Sequence, residues 1–308
     1  MDEFAFIREH LAPFAGRAGE GLSDDCAWLP DGEDWLVVST DTSVEGVHFP
    51  RGRRGAAFSE RAVRVALSDL AAKAARPVGV MVGLCLPRDI DRRYVPALAL
   101  GIREACEAFG APLIGGDTTS HDGPLVANVT VLGRASRKVL REGARVGEGV
   151  WLTGPVGDAS LGLGYLQGDL PLPDPSGEQL HVWEDAYLRP EPAFGHASAI
   201  ASASASIDVS DGLLADLGKV AEASGVALEI VADTIPLSDA TQGFVNGDVG
   251  RLVRLATAGD DYAVAFTHAG EPEGAVRIGR VVSGAGVRLL DADGGEVEVE
   301  RLGYSHRL

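Results

Sequence analysis

Aspartate in this chain is gathered into short clusters beside Ser, Thr or Gly, at the ends of strand-like segments, and much of it lies off helix surfaces. The clusters are Ser23-Asp24-Asp25, Ser39-Thr40-Asp41, Ser68-Asp69, Gly115-Gly116-Asp117-Thr118-Thr119, Asp208-Val209-Ser210-Asp211-Gly212 and Gly259-Asp260-Asp261-Tyr262. Any one of them is accounted for by a turn or a helix cap, which these residue types favour; Ser210 or Asp211 would cap a helix beginning near Leu213. Six on segments able to converge are a stronger constraint, because loops at strand ends are where α/β folds place ligand chemistry. Two carboxylates ~4 Å apart at an effective dielectric near 20 repel by about 4 kcal/mol. A pocket of five or six of them cannot stay ionised unless cations occupy it. An all-oxygen donor set without paired His or Cys points to a hard cation such as Mg²⁺ and away from zinc. Several Mg²⁺ in an acidic, glycine-lined pocket suit a nucleoside triphosphate, because the ions bridge acids to phosphates and glycine lets backbone N–H groups approach.

The remaining composition bounds the class. The chain has 308 residues, room for two ordinary domains, and 45 Asp plus Glu against 27 Lys plus Arg, a net charge of -18. That field disfavours broad nucleic-acid or anionic-membrane binding. Glycine is abundant, 40 residues, yet 45% of the chain is hydrophobic, so a core can be buried. No apolar run approaches the ~18 residues of a spanning helix. Met1-Asp2-Glu3-Phe4 has no basic segment of a secretory leader, and Cys26, Cys85 and Cys106 form no CxxC pair. The expectation is a cytoplasmic protein with reduced thiols and no membrane partner.

Helix and strand patterns alternate, as in a mixed α/β chain. The periodicities predict helices over 2–12, 58–75, 91–109, 158–167, 178–187, 193–203 and 212–224. They predict strands over 35–40 and 44–49 (flanking Asp41), 78–86, 111–115, 124–134, 149–154, 206–209 and 226–231, with β-rich segments from 261 to 300. A Pro- and Asp-rich loop covers 168–177. The Arg- and Gly-rich stretch 136–148 reads as a linker, giving domains 1–137 and 138–308. There is no GxxxxGK[ST], no HRD loop with its lysine, and no GxGxxG after a strand. If the chain handles ATP, metal ions supply the neutralisation that a lysine supplies elsewhere.

In their order, the clusters resemble thiamine-monophosphate kinase. The resemblance runs through Asp24-Asp25-Cys26-Ala27, Ser39-Thr40-Asp41 with Glu45-Gly46-Val47-His48-Phe49, Leu67-Ser68-Asp69-Leu70-Ala71-Ala72, Gly115-Gly116-Asp117-Thr118-Thr119, Thr153-Gly154-Pro155-Val156-Gly157-Asp158, Asp208-Val209-Ser210-Asp211-Gly212 and Gly259-Asp260-Asp261-Tyr262, from about residue 20 to the C-terminus. It implies a two-domain α/β (α+β) protein of the aminoimidazole ribonucleotide synthetase-like fold. The N-terminal domain would be a mixed sheet with helices on one face, dimerising through that sheet, and a C-terminal α/β domain would complete the site. The implied reaction is ATP-dependent conversion of thiamine monophosphate to thiamine diphosphate by direct in-line transfer, without an acid/base residue. Carried over residue by residue, Asp25, Ser39, Thr40, Asp41, Asp69, Asp117, Asp208 and Asp211 would hold Mg²⁺. Gly116, Asp117, Arg141 and Ser210 would contact ATP, and His48, Asp260 and Tyr304 the thiamine phosphate.

Departures from the family pattern are Ser23 for a usual Gly, Asp260 for a usual Glu, and Arg307 where Gly303-Tyr304-Ser305-His306 would continue into an aromatic residue. Asp24 and Asp25 point oppositely in an extended segment, so one of the two is expected as a direct ligand. Cys26 reads as a packed thiol. The alternatives are another ATP-using enzyme of the superfamily, resembling aminoimidazole ribonucleotide synthetase or selenophosphate synthetase, and a non-catalytic nucleotide-binding relative.

Overall fold

In the computed structural model, which describes residues 3–168 and 175–305, the strand patterns resolve into two mixed sheets. Strands β1 (Ala27–Asp31), β2 (Asp34–Val44), β3 (Arg76–Pro87), β4 (Leu113–His121) and β5 (Val126–Ala135) form the first, in the order β1-β2-β5-β3-β4. Only β3 and β4 run parallel in it. Strands β6 (Gly149–Leu152), β7 (Ala205–Asp208), β8 (Ala227–Val231), β9 (Val264–His268), β10 (Val276–Val282) and β11 (Gly286–Leu290) form the second, in the order β11-β8-β10-β6-β9-β7. Its one parallel pair is β8 with β11.

The helices are α1 (Glu3–Phe6), α2 (Ala56–Ala72), α3 (Tyr94–Ala108), α4 (Asp158–Gln167), α5 (Gly177–Leu188), α6 (Ala197–Ala201), α7 (Leu213–Ser224), α8 (Asp239–Val245) and α9 (Val249–Ala256). Helix α2 organises the molecule. Phe58 to Ser68 and Leu70 to Ala72 are all buried, because α2 packs against β2 and β5 on one side and against β7 and β9 of the second sheet on the other. A helix enclosed all round must pair its polar groups. Arg64 and Arg189 both meet Glu60, Ser68 donates to Asp208, and Ser206 Oγ donates to the Ala72 carbonyl. The α4–α5 hairpin also touches both cores: Tyr187 packs with the first sheet's residues and Trp183 with the second's.

Several elements differ from the sequence expectation. Residues 35–40 and 44–49 are not two strands flanking Asp41; β2 is continuous through Asp41, paired with β5 from Trp35 to Val44. The chain then turns, with the buried Glu45 carboxylate accepting from Gly52 N, Leu125 N and Arg54 Nε. The Gly115-Gly116-Asp117 cluster lies inside β4, not at its end. The expected helix over 2–12 is α1 followed by a wider turn over Ile7–Leu11; Met1 and Asp2 lie outside the described residues. The helix expected over 193–203 breaks into a tight turn, Phe194–His196, and α6. Helices α8 and α9 had no counterpart in the sequence reading. Most of the Pro- and Asp-rich loop, residues 169–174, is outside the described residues, as are His306 and Arg307.

Leu67 is fully buried on α2. Leu67→Ala is expected to lower the unfolding free energy by about 2–5 kcal/mol, measured by chemical denaturation.

Candidate functional site

Three carboxylates from three parts of the chain meet where α2 faces the second sheet. Asp69 sits in the last turn of α2, Asp208 ends β7, and Asp25 lies in the bend before β1; one oxygen of each falls within 4.8 Å of the others. Alternation along β2 turns Ser39 and Asp41 toward the same region, while Thr40 and Thr42 face away. Ser39 Oγ donates to Asp69 Oδ2 at 2.5 Å, and Ser68 Oγ donates to Asp208 Oδ2 at 2.8 Å.

Electrostatics divides the cluster. Burial raises Asp41 to about 6, helped by the charges of Asp25 and Asp211. Asp208 is pushed up to about 8, by burial first and then by Asp25 and Asp216. Burial, with Asp208, Asp41 and Asp25 nearby, takes Asp69 well above the carboxylate range. Asp25 is the exception: burial would raise it, but Arg141 and Lys73 overcome that and hold it far below. Lys73 Nζ is fully buried, 2.7 Å from Asp24 Oδ1 and 2.7 Å from Asp25 Oδ2, and donates to the Ser206 carbonyl. Asp24 and Asp25 therefore do not diverge. The segment is bent, and both converge on Lys73, with Asp24 also accepting from Trp28 Nε1 and Arg141 N. Cys26 beside them is buried, and its thiol is raised by burial, as a packed thiol should be.

The loop after β7 is built from within α7. Ser210 and Asp211 do not cap that helix; Gly212 precedes it without a side-chain cap. The backbone N–H groups of Ser210 and Asp211 both donate to Asp216 Oδ2, at 3.0 Å each. Lys219 Nζ joins Asp216 Oδ1 to Asp211 Oδ2, at 2.7 and 2.6 Å. The loop carrying Gly259 lies against this turn: a Cβ at Gly259 (φ +83°) would stand 2.4 Å from the Ser210 carbonyl oxygen. The next residues, Asp260 (φ +67°) and Tyr262 (φ +53°), hold left-handed backbone that side chains disfavour. Asp260 N donates to Ser210 O, and Tyr304 N donates to Asp211 O.

The single chain thus brings together Asp25, Ser39, Asp41, Asp69, Asp208 and Asp211. It does not bring Thr40 and Asp117 to them by their side chains. The Thr40 hydroxyl meets Thr130 and Asn128 on the opposite, open face of the first sheet. In the cross-sheet register Thr42, Asn128, Gly83 and Asp117 share that face. Gly116 stands beside Asp117 on β4, where Leu113 and Ile114 are also exposed. Arg141 is at the linker, with its guanidinium on Asp25. His48 accepts from Val44 N through Nδ1, and its carbonyl accepts from Tyr187 Oη. Asp260 pairs with Arg61, and Tyr304 is about half exposed. Lys73, Asp216 and Arg61 were missed by sequence reasoning. The one available signal was that Lys73 is among only three lysines in the chain.

Residues 23–135 match the family AIR synthase related protein, N-terminal domain. The chain is 38% identical to the thiamine-monophosphate kinase of Salmonella typhimurium over 252 residues, 80% of this chain and 75% of that one. It is 35% identical to the thiamine-monophosphate kinase of Caulobacter vibrioides over 304 residues, 92% of this chain and 84% of that one. Among solved structures, AaThiL complexed with AMPPCP and TMP superposes with a TM-score of 0.87 at 30% identity, over 99% of this chain and 97% of that one.

Carboxylates held above their unfolded pKa bind more protons folded than unfolded, so stability falls as pH rises from about 4 toward the folded values. With Asp41 at about 6 and Asp208 at about 8, metal-free protein is expected to lose stability between pH 5.5 and 8. Thermal unfolding in a chelator should show a fall of at least a few degrees over that range. Added divalent cation should reduce it, and a flat profile would contradict the cluster's electrostatics.

Proposed function

We propose that this chain, which belongs to the thiamine-monophosphate kinase family, transfers the γ-phosphoryl group of ATP to the phosphate of thiamine monophosphate, giving thiamine diphosphate and ADP. The observation that carries this reading is the convergence of Asp25, Asp69 and Asp208 from the N-terminal bend, α2 and β7. Asp69 and Asp208 receive hydroxyl donors, not cations, and both are raised by burial and by neighbouring acids. Such a set fits a hard divalent ion bound through oxygen.

In this reading Asp25, Asp41, Asp69, Asp208 and Asp211 hold Mg²⁺, with Ser39 adding an oxygen. Magnesium, when bound, supplies neutralisation of the phosphate charge during transfer. An oxygen of the substrate phosphate attacks the γ-phosphorus in line. The bond from that phosphorus to the β–γ bridging oxygen breaks, and ADP leaves with the electron pair. The attacking oxygen is already ionised, so no side chain is needed as base. Arg141 exchanges Asp25 for phosphate, and the turn at Ser210, held by Asp216, offers further contact to the nucleotide. His48, Asp260 and Tyr304 face the thiamine.

Gly116, Asp117 and Thr40 belong to the same reading through a homodimer. The open face of the first sheet, with Met81 and Ile114 exposed, supports pairing of two copies there. The two sheets support domains 1–137 and 138–308, with the α4–α5 hairpin bridging them. We place the protein in the cytoplasm; among the described residues no helix is long and apolar enough to cross a membrane.

Purified protein with ATP, thiamine monophosphate and millimolar Mg²⁺ is expected to form thiamine diphosphate and ADP in equal amounts; no thiamine diphosphate would refute the reading. Asp41→Asn and Asp211→Asn should each lower turnover by about a hundredfold or more with the unfolding midpoint retained. Near-normal turnover in either would remove that residue from the cation site.

A further inference from the structure

The two acceptor-facing residues His48 and Asp260 are far apart in sequence, and one buried side chain joins them. Arg61, on α2 and only 4% exposed, donates through Nη2 to Asp260 Oδ1 and through Nη1 to the Tyr187 backbone carbonyl. Its guanidinium carbon stands 4.1 Å from the ring centre of Tyr187 and 5.4 Å from that of Tyr262. Tyr187 Oη in turn donates to the His48 carbonyl at 3.0 Å, and its ring stacks on Phe49 at 6.0 Å. Tyr262 Oη is 3.3 Å from Asp260 Oδ1.

The arrangement has a consequence for Asp260. Its backbone is left-handed and its side chain is one methylene shorter than the Glu usual in the resembling family, so it has little reach of its own. Arg61 engages one carboxylate oxygen, Oδ1. The side chain is 29% exposed, which leaves Oδ2 for a ligand. Thiamine carries a permanent positive charge on its thiazolium ring. A bare guanidinium behind the pocket would repel it, and the ion pair with Asp260 cancels that charge.

We propose that Arg61 is the positioning residue for the thiamine acceptor: it fixes the Asp260 carboxylate toward the ligand and, through Tyr187, sets the turn that carries His48. Arg61 is too deeply buried to touch substrate, so it acts only through these partners. The inference rests on the kinase reading and on Asp260 facing the acceptor.

The test compares Arg61→Lys and Arg61→Gln in steady-state kinetics and in direct titration of thiamine monophosphate without ATP. The KM for thiamine monophosphate should rise in order, about 3–10-fold for Lys, whose single ammonium cannot fork to both Asp260 and Tyr187, and about 10–100-fold for Gln. The KM for ATP and kcat should stay within about threefold, and the titrated affinity should fall in parallel with the acceptor KM. In an Asp260→Asn background, the effect of Arg61→Lys on the acceptor KM should shrink to the part carried through Tyr187 and His48. If Arg61→Gln does not fold, the Lys variant alone and in that background decides. Equal movement of both KM values, no movement of either, or full additivity with Asp260→Asn would overturn the proposal. Wild-type protein that makes no thiamine diphosphate would instead refute the kinase reading, so the two failures are distinguishable.

Discussion

Buried carboxylates without an internal counter-charge are the constraint on which the rest of this structure depends. Asp25 has Lys73 and Arg141, and its charge is secured. Asp41, Asp69 and Asp208 are close by and raised, and the donors on Asp69 and Asp208 are serine hydroxyls. A hydroxyl can satisfy a lone pair but cannot cancel a charge, so the cluster takes up protons unless added cations hold it ionised. The acids behind the net charge of -18 are thus of several kinds. A few form the cluster that the proposed function assigns to cations, others such as Glu45, Glu60 and Asp216 are buried and paired within the fold, and many of the rest are exposed.

Helix α2 carries both the stability and the chemistry. It closes the first sheet's core through Leu67 and Leu70 and docks on the second sheet through Ser68 and Ala72. In the proposed reaction its two ends would serve different parts. Arg61 would lie toward the acceptor and Asp69 toward the cations, about 12 Å apart at 1.5 Å per residue. Because both are fixed on one buried helix, their separation does not depend on loop motion. The same enclosure explains why its polar residues are all paired and why a lysine, Lys73, follows its last turn: that position lies between two acids and a carbonyl.

What was legible in the sequence was local. The acid clusters, their order and most strand and helix patterns could be read because turn chemistry and periodicity act over a few residues. The residues that position them could not. Asp216 reads as an ordinary helix residue, and its role depends on the loop folding back onto its carboxylate. Arg61 and Lys73 carry no local signal, because Tyr187 and Tyr262 cover Arg61, and Asp24, Asp25 and the Ser206 carbonyl surround Lys73, from segments far off in the chain. Asp41 and Asp117 were expected at strand ends, yet both sit within ladders, since strand pairing continued through polar residues. Alternation on those ladders then sends Thr40 and Asp117 to the open face, which no single-segment reading could assign.

The most direct test of the central claim is a titration of Mn²⁺ into the metal-free protein, read by the loss of the free-ion electron paramagnetic resonance signal. The account predicts that wild-type protein binds the ion and that Asp69→Asn and Asp208→Asn each abolish or weaken that binding at least about tenfold, with the fold retained. Binding of equal strength and stoichiometry in both variants would contradict it.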